Sequence, residues 1–427
     1  MSGRVRFLDT RPLRSSPPYR ALWIGTSAAQ LGAQVTLVAV LAQVWDLTGS
    51  PVGTGAIGLA TGLPMVVFGL LGGTLADTVD RRALVRATTA GQLLAAGGLC
   101  AQALADNSNV VLLLALVAVA TACAALGAPA RRTFPVRLLP PDQVAAGLAL
   151  NNVSFQFAML AGPAAAGLII ARWGLPAAYA TQAVAIAVAV AAVFRLPAMR
   201  PEGVRAEGGR RRAERGGWRI VLRRHTLWGS LATDLSATLL AMPIALFPLV
   251  NEVRFDGDPQ TLGLFLSAVA VGGITAGLLS GTVTRWRRGG LVQLTAAAVW
   301  GLALACFGLA GPLWLALVCL AAAGAADTIS VVTRSALVQL ETPDAYRGRV
   351  SSVEHVIGVA GPELGNFRGG LVASATSATF SLVTGGLAAL TAIAAIAAAN
   401  APLRAYRTPP EERKPPTQTA TTPSGSP

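Results

Sequence analysis

The sequence predicts an all-α polytopic membrane protein of twelve transmembrane helices in two six-helix halves. Three observations carry that prediction. Of the 427 residues, 53% are hydrophobic and only 13% charged, about half the charged share of a soluble domain. Uncharged runs of about 20 residues, the length that crosses a bilayer as a helix, recur along the whole chain. The basic residues cluster between alternate runs, as they do in membrane proteins of fixed orientation.

Residues 1–20 are polar and Arg-rich without a cleavable signal pattern, so they read as a cytoplasmic N-terminal segment and the first apolar run as an uncleaved span. Spans are expected at 21–46, 52–76, 83–105, 110–129, 144–171 and 177–194, giving an N-terminal half over 21–194. A C-terminal half over 227–399 takes spans at 227–250, 261–283, 291–310, 313–333, 350–373 and 378–399. Between the halves, residues 195–226 contain Glu207-Gly-Gly-Arg-Arg-Arg and read as a charged cytoplasmic linker. Residues 400–427, rich in Pro, Thr and Ser, have too little apolar surface to fold and read as a disordered cytoplasmic tail.

An even number of spans puts both ends on one side, and the charges say which. All but three of the 34 Lys and Arg lie at the N-terminus, in the connections after spans 2, 4, 6, 8 and 10, or in the tail; the exceptions are Arg172, Arg254 and Arg368. Both termini are therefore expected in the cytoplasm of a multi-pass protein of the inner cell membrane. The net charge of +14 is laid out for the bilayer and not as a nucleic-acid face. The four cysteines sit in apolar runs with no metal-ligand spacing, so no disulfide, metal or cofactor is expected. No Gly-x-x-x-x-Gly-Lys-Ser/Thr loop is present for ATP, and the two histidines and scattered carboxylates form no enzymatic constellation.

Between spans 2 and 3 the chain reads Gly72-Gly73-Thr74-Leu75-Ala76-Asp77-Thr78-Val79-Asp80-Arg81-Arg82. So short a turn makes a tight helical hairpin. Glycines there permit close helix approach, Asp77 can meet the positive end of another helix, Asp80 can cap span 3, and Arg81 and Arg82 hold the turn in the cytoplasm. A generic positive-inside hairpin is the alternative. The pattern around Gly73 and Asp77 resembles the signature loop of the major facilitator superfamily, with Asp80 where that family usually has glycine. The resemblance implies a conformational gate formed by Gly73, Asp77, Asp80, Arg81 and Arg82. The corresponding stretch in the second half, Gly277 to Arg288, has no aspartate. Halves of this kind bind substrate between them near the midplane and rock about it.

Span 5 carries Gly162-Pro163 and Gly167, which resembles the Gly-Pro-x-x-Gly-Gly motif of exporters in the superfamily, with Ala166 in place of one glycine. Proline bends the helix and small residues allow close packing. In the second half, Ala325-Ala-Asp327 to Arg334 leads into Gln339-Leu-Glu-Thr-Pro343-Asp344 and Arg347-Gly348-Arg349-Val350. With Tyr19-Arg20-Ala-Leu-Trp23-Ile-Gly25, this resembles the exporter branch that includes enterobactin (catecholate siderophore) exporters and, more distantly, macrolide efflux proteins.

Charged residues inside spans cost about 2.5–3.5 kcal/mol each at a helix centre and so mark function or pairing. Asp234 in span 7, Asp327 in span 10 with Arg334 just past its end, and Glu363 and Arg368 in span 11 are the candidates for proton coupling or substrate contact. Asp327 and Arg334 are seven residues apart on one helix face, so a structural ion network is an equal reading of that pair. Glu363 and Arg368, five apart, point away from each other, and each needs a partner on another helix or a ligand. Gln30 and Gln34 in span 1 and Asn151, Asn152 and Gln156 in span 5 can line a polar groove or join helices by hydrogen bonds. His355, beside Glu354, reads as a solvated residue near an interface. Proton-antiporting drug exporters usually carry an arginine buried within helix 4, and here span 4 has none before Arg131.

The resemblance implies a monomeric secondary transporter that exports a small, siderophore-like molecule by proton antiport, with the bilayer, protons and substrate as its partners. A multidrug or macrolide efflux pump is the alternative. A non-transporting membrane partner or sensor is more remote, because no soluble domain is appended.

Overall fold

The computed structural model describes residues 9–196, 220–279, 288–343 and 346–407. Most of the expected linker and tail, and the Arg285–Arg288 turn short of its last residue, lie outside the described residues.

The long helices are α1 (Pro17–Thr48), α2 (Pro51–Thr78), α3 (Arg81–Leu104), α4 (Val110–Arg132) and Val144–Phe194. Gly174, at φ 76°, splits the last of these into α5 (residues 144–173) and α6 (residues 175–194). The second half holds α7 (His225–Arg254), α8 (Pro259–Leu278), α9 (Gly289–Leu309), α10 (Leu313–Glu341), α11 (Arg347–Ala375) and α12 (Ala378–Ala399). These line up with the expected spans.

Local chemistry sets the ends. Ser16, Ser50, Asn109, Asp258 and Ser377 each accept a backbone N–H at a helix start, satisfying donors that an isolated helix leaves open. Asp80 caps α3 as expected, accepting from the backbone N–H of Arg82 at 2.8 Å and of Ala83 at 3.3 Å. The two-residue turn between α1 and α2 is possible because Gly49 takes a left-handed conformation (φ 54°).

Two expectations are corrected. The connection expected at 172–176 shrinks to the single non-helical residue Gly174, which reaches a backbone region open to glycine. Span 7 is not continuous: α7 leaves the helix at Met242-Pro243 and resumes through a 3-10 turn, Ile244–Leu246, because proline removes a helical donor. The end of span 8 expected at residue 283 lies outside the described residues.

The arms α5 and α6 run in opposite directions along α1. Tyr19 lies against Gly147 and Gln34 against Gly162, in step along α5, whereas Gly25 meets Ala189 and Ala192 and Gly32 meets Gln182 and Ala185, in reverse order along α6. Nine stretches of the described residues, among them the one containing both arms, are long and apolar enough to cross a membrane. Helices α3 and α11 have comparable length but carry more polar residues.

The halves meet along two pairs of helices, α2 with α11 and α5 with α8. The close approaches pair residues 51–62 with 363–370 and residues 160–167 with 259–267. Both sets lie toward the bundle end away from the termini. Toward the termini-bearing end, a methyl group added at Gly69, Gly73 or Gly277 would meet nothing within 4 Å. The bundle is sealed at one end and parted at the other. An aromatic cluster fills the sealed end of the second half, with Phe247, Phe265 and Phe307 edge to face at 5.5–5.7 Å between centroids.

Candidate functional site

Two constellations of polar residues lie inside the bundle, one in the second half and one across the sealed seam. In the first, α7 brings Asp234, α10 brings Arg334 and α11 brings Glu354. Arg334 pairs with Asp234, and its Nε lies 3.4 Å from Glu354 Oε1. Ser335 Oγ donates to the same Glu354 oxygen at 3.0 Å. Asp234 and Arg334 are 5% and 6% exposed, so their charges are almost wholly withdrawn from water and depend on one another. The expected partnership of Arg334 with Asp327 is therefore replaced by one with two other helices. Asp327 is half-buried on α10, within electrostatic reach of Asp234 and Arg334. Glu354, named in the sequence only as the neighbour of His355, belongs to the cluster.

The second constellation is built on the break in α7. Unwinding at Met242-Pro243 leaves backbone groups that a helix would have paired, and within a membrane these must find partners in the protein. Asn366 Oδ1 of α11 accepts the Ala245 N–H at 3.2 Å, and Thr54 Oγ1 of α2 donates to the Ala245 carbonyl at 2.7 Å. Arg368 donates to the Leu240 carbonyl at 2.5 Å, at the helix end preceding the break, where a cation also suits the helix dipole. Next to Asn366, the half-buried Glu363 has Thr61 of α2 and Asn366 beside it as donors to its carboxyl. Its chain crosses the helix surface at Gly58 and Gly62: a Cβ on Gly62 would sit 2.7 Å from Glu363 Cβ. Glu363 and Arg368 thus find separate partners on other helices. Thr54, Thr61 and Asn366 carry no sequence pattern that sets them apart from ordinary helical Thr and Asn.

The remaining candidates divide between seams. Gly162 packs on Gln34 of α1, while Gly167 meets Pro259 and Gln260, and Gly263 meets the Pro163 carbonyl. Ser267 Oγ adds a hydrogen bond to the Leu160 carbonyl at 3.0 Å. The exporter-like motif is thus part of the α5–α8 contact between halves. Tyr19 donates to the Gly147 carbonyl at 2.7 Å, with Asn151 Oδ1 at 3.5 Å. Gln30 and Gln156 are half-buried and Asn152 is exposed. In the α2–α3 turn the close approach is at Gly72, whose Cβ would meet the Leu126 carbonyl of α4 at 2.5 Å, and not at Gly73. Ser351, on the first turn of α11, is exposed; the side chain of Asp77 lies outside the described residues.

A family model described as "Transmembrane secretion effector" matches residues 10–420. The enterobactin exporter EntS of Citrobacter koseri is 26% identical over 402 residues, covering 91% of this chain and 94% of the relative. The enterobactin exporter EntS of Shigella flexneri is 26% identical over 398 residues, covering 90% and 93%. Among solved structures, the nucleoside transporter NupG aligns with a TM-score of 0.68 at 14% identity over 90% of this chain and 98% of that one. A bacterial homologue of the lysosomal transporter Spinster, inward-facing and unoccupied, aligns at 0.67 with 14% identity over 94% and 100%. Identities so low speak to the fold alone. The fold and the near-complete family match agree: the chain belongs to the transmembrane secretion effector family of the major facilitator superfamily, and is a membrane transporter and not an enzyme.

Proposed function

We propose that this transporter exports a small organic molecule of siderophore-like, catecholate chemistry from the cytoplasm in exchange for protons. The observation that carries the reading is the match to enterobactin exporters over about nine tenths of both chains. In this reading the parted end of the bundle faces the cytoplasm, where an exporter collects its substrate. The protein works as a monomer in the inner membrane, with halves over 21–194 and 227–399, a linker over 195–226 and cytoplasmic segments at 1–20 and 400–427. A deletion strain should accumulate a catecholate inside the cell under iron limitation. Accumulation of a macrolide or other drug with normal siderophore release would assign it to multidrug efflux.

Orientation is tested separately. Reporter fusions at Glu207 and Thr417 should report cytoplasm and one at Gly257 the outside; Glu207 found outside would overturn the direction of transport.

The loop from Gly73 to Arg82 acts as a gate in this reading. When the cytoplasmic end closes, Asp77 meets the start of α11 near Ser351, a charge–dipole contact worth about 0.3–1 kcal/mol when exposed and up to about 2 when partly buried. Asp77→Asn should slow export several-fold and leave substrate binding intact. Abolished binding in a folded variant would instead place Asp77 in the substrate site.

A further inference from the structure

We infer that Glu363 is the proton-carrying group of the exchange, and that it works from the seam between the halves and not from the substrate cavity. The inference rests on the exporter reading and assigns a residue and a place to its proton step.

Position is the first argument. The approaches of α2 to α11 run inward from the sealed end: Pro51 with Gly370, Gly55 with Asn366 and Phe367, then Gly58 and Gly62 with Glu363. The next glycine of α2 toward the termini, Gly69, faces open space. Glu363 is therefore the innermost of these approaches, on the side where the halves part. It is half-buried and touches solvent-accessible space. A proton held there can leave toward the parted end in this state. When the seam itself separates, the same carboxyl faces the opposite side.

Hydrogen-bond accounting is the second. The Thr61 hydroxyl lies 3.0 Å from the Ile57 carbonyl of its own helix, with the Gly58 carbonyl at 3.3 Å, so those carbonyls compete with Glu363 for its one proton. Asn366 uses its Oδ1 on Ala245 and has only its amide N–H groups for Glu363. An ionised Glu363 in the closed seam thus rests on an amide and a shared hydroxyl for its hydrogen bonds.

Charge is the third. On α2 there is no ionisable side chain before Asp77, at the other end of the helix, and α12 has none. On α7, Asp234 is committed to Arg334. Arg254, farther along, gives its N–H groups to carbonyls of Phe307, Gly308 and Ala310 and to the Thr379 hydroxyl. Its neighbour Glu252 is within electrostatic reach of Asp46 on α1. On α11 itself, Arg368 serves the Leu240 carbonyl and Glu354 serves Arg334. Among the described residues no cation pairs with an ionised Glu363, so losing the proton to the inside loads the closed seam with an unpaired charge. The seam then opens, the carboxyl takes a proton from the outside, and the seam can close again.

The test uses the full chain in lipid nanodiscs, without substrate. Its native cysteines are replaced, and spin labels are placed on cysteines at Ser108 and Gly311, in two loops of the sealed end. Wild type should show a short separation in acid and shift to a longer one as pH rises, while Glu363→Gln should hold the short separation throughout. Asp46→Asn with Glu252→Gln should keep the wild-type response. The inference is overturned if wild type does not respond to pH, if Glu363→Gln responds as wild type does, or if the rim double variant abolishes the response. The wild-type measurement decides even where the variant does not fold. Proton-driven catecholate efflux by a protein with an unresponsive seam would sink this assignment and leave the exporter reading standing. A responsive seam in a protein that exports nothing would do the reverse.

Discussion

Replacing Arg334 with alanine is expected to remove about 3–5 kcal/mol of stability, the cost of leaving a buried charge without its partner. Asp234 is almost wholly buried and Glu354 shares the same guanidinium, so the substitution strands two carboxylates among three helices. Most of the protein should be lost from the monodisperse fraction after detergent extraction. Removing one of the charges with its partner should restore much of it: Arg334→Ala with Asp234→Asn should be more stable than Arg334→Ala alone, a coupling that only contacting residues show. A loss below about 1 kcal/mol for the single variant would mean that the cluster is hydrated and behaves as an exposed ion pair.

A second large effect is expected at Gly58. A Cβ there would stand 2.6 Å from the Glu363 carbonyl oxygen, and backbone cannot swing aside as a side chain can. Gly58→Val should disfavour the closed seam by about 1–3 kcal/mol, the usual cost of overpacking, which shifts the equilibrium toward opening by roughly 5- to 150-fold. Thr54 is 1% exposed in the closed seam. A cysteine at Thr54 should therefore react with a membrane-impermeant maleimide from the outside in Gly58→Val and stay protected in the parent. Gly69→Val, where nothing lies within 4 Å, should leave that protection unchanged. Equal labelling of both glycine variants would mean that Gly58 does not hold the seam.

The parts of this molecule that were legible in its sequence are those set by local chemistry. Apolar runs located the spans, Asp80 was readable as a cap because a short side chain before a helix has one obvious use, and Gly162-Pro163 with Gly167 announced close packing. The partners were not legible. Arg334 looked suited to Asp327 because both lie on one helix face, yet it pairs with Asp234 on α7 and Glu354 on α11, a choice made by how three helices meet. The break in α7 was written in Pro243, but its repair by Thr54 and Asn366 joins residues 191 and 121 positions apart. Glu363 was recognisable as costly in a bilayer. Its place at the border of a seam depended on which face of α2 carries glycines toward α11.

The close contact of Gly58 and Gly62 with Glu363 also bears on leakage. A water molecule in the liquid occupies about 30 Å³ and needs polar partners to stay in a gap. The space against Gly58 and Gly62 is too narrow even for a methyl group, and the adjoining polar atoms of Thr54, Thr61 and Asn366 are already paired. A file of water has no room at that point of the closed seam, so the contact insulates there as well as closing it.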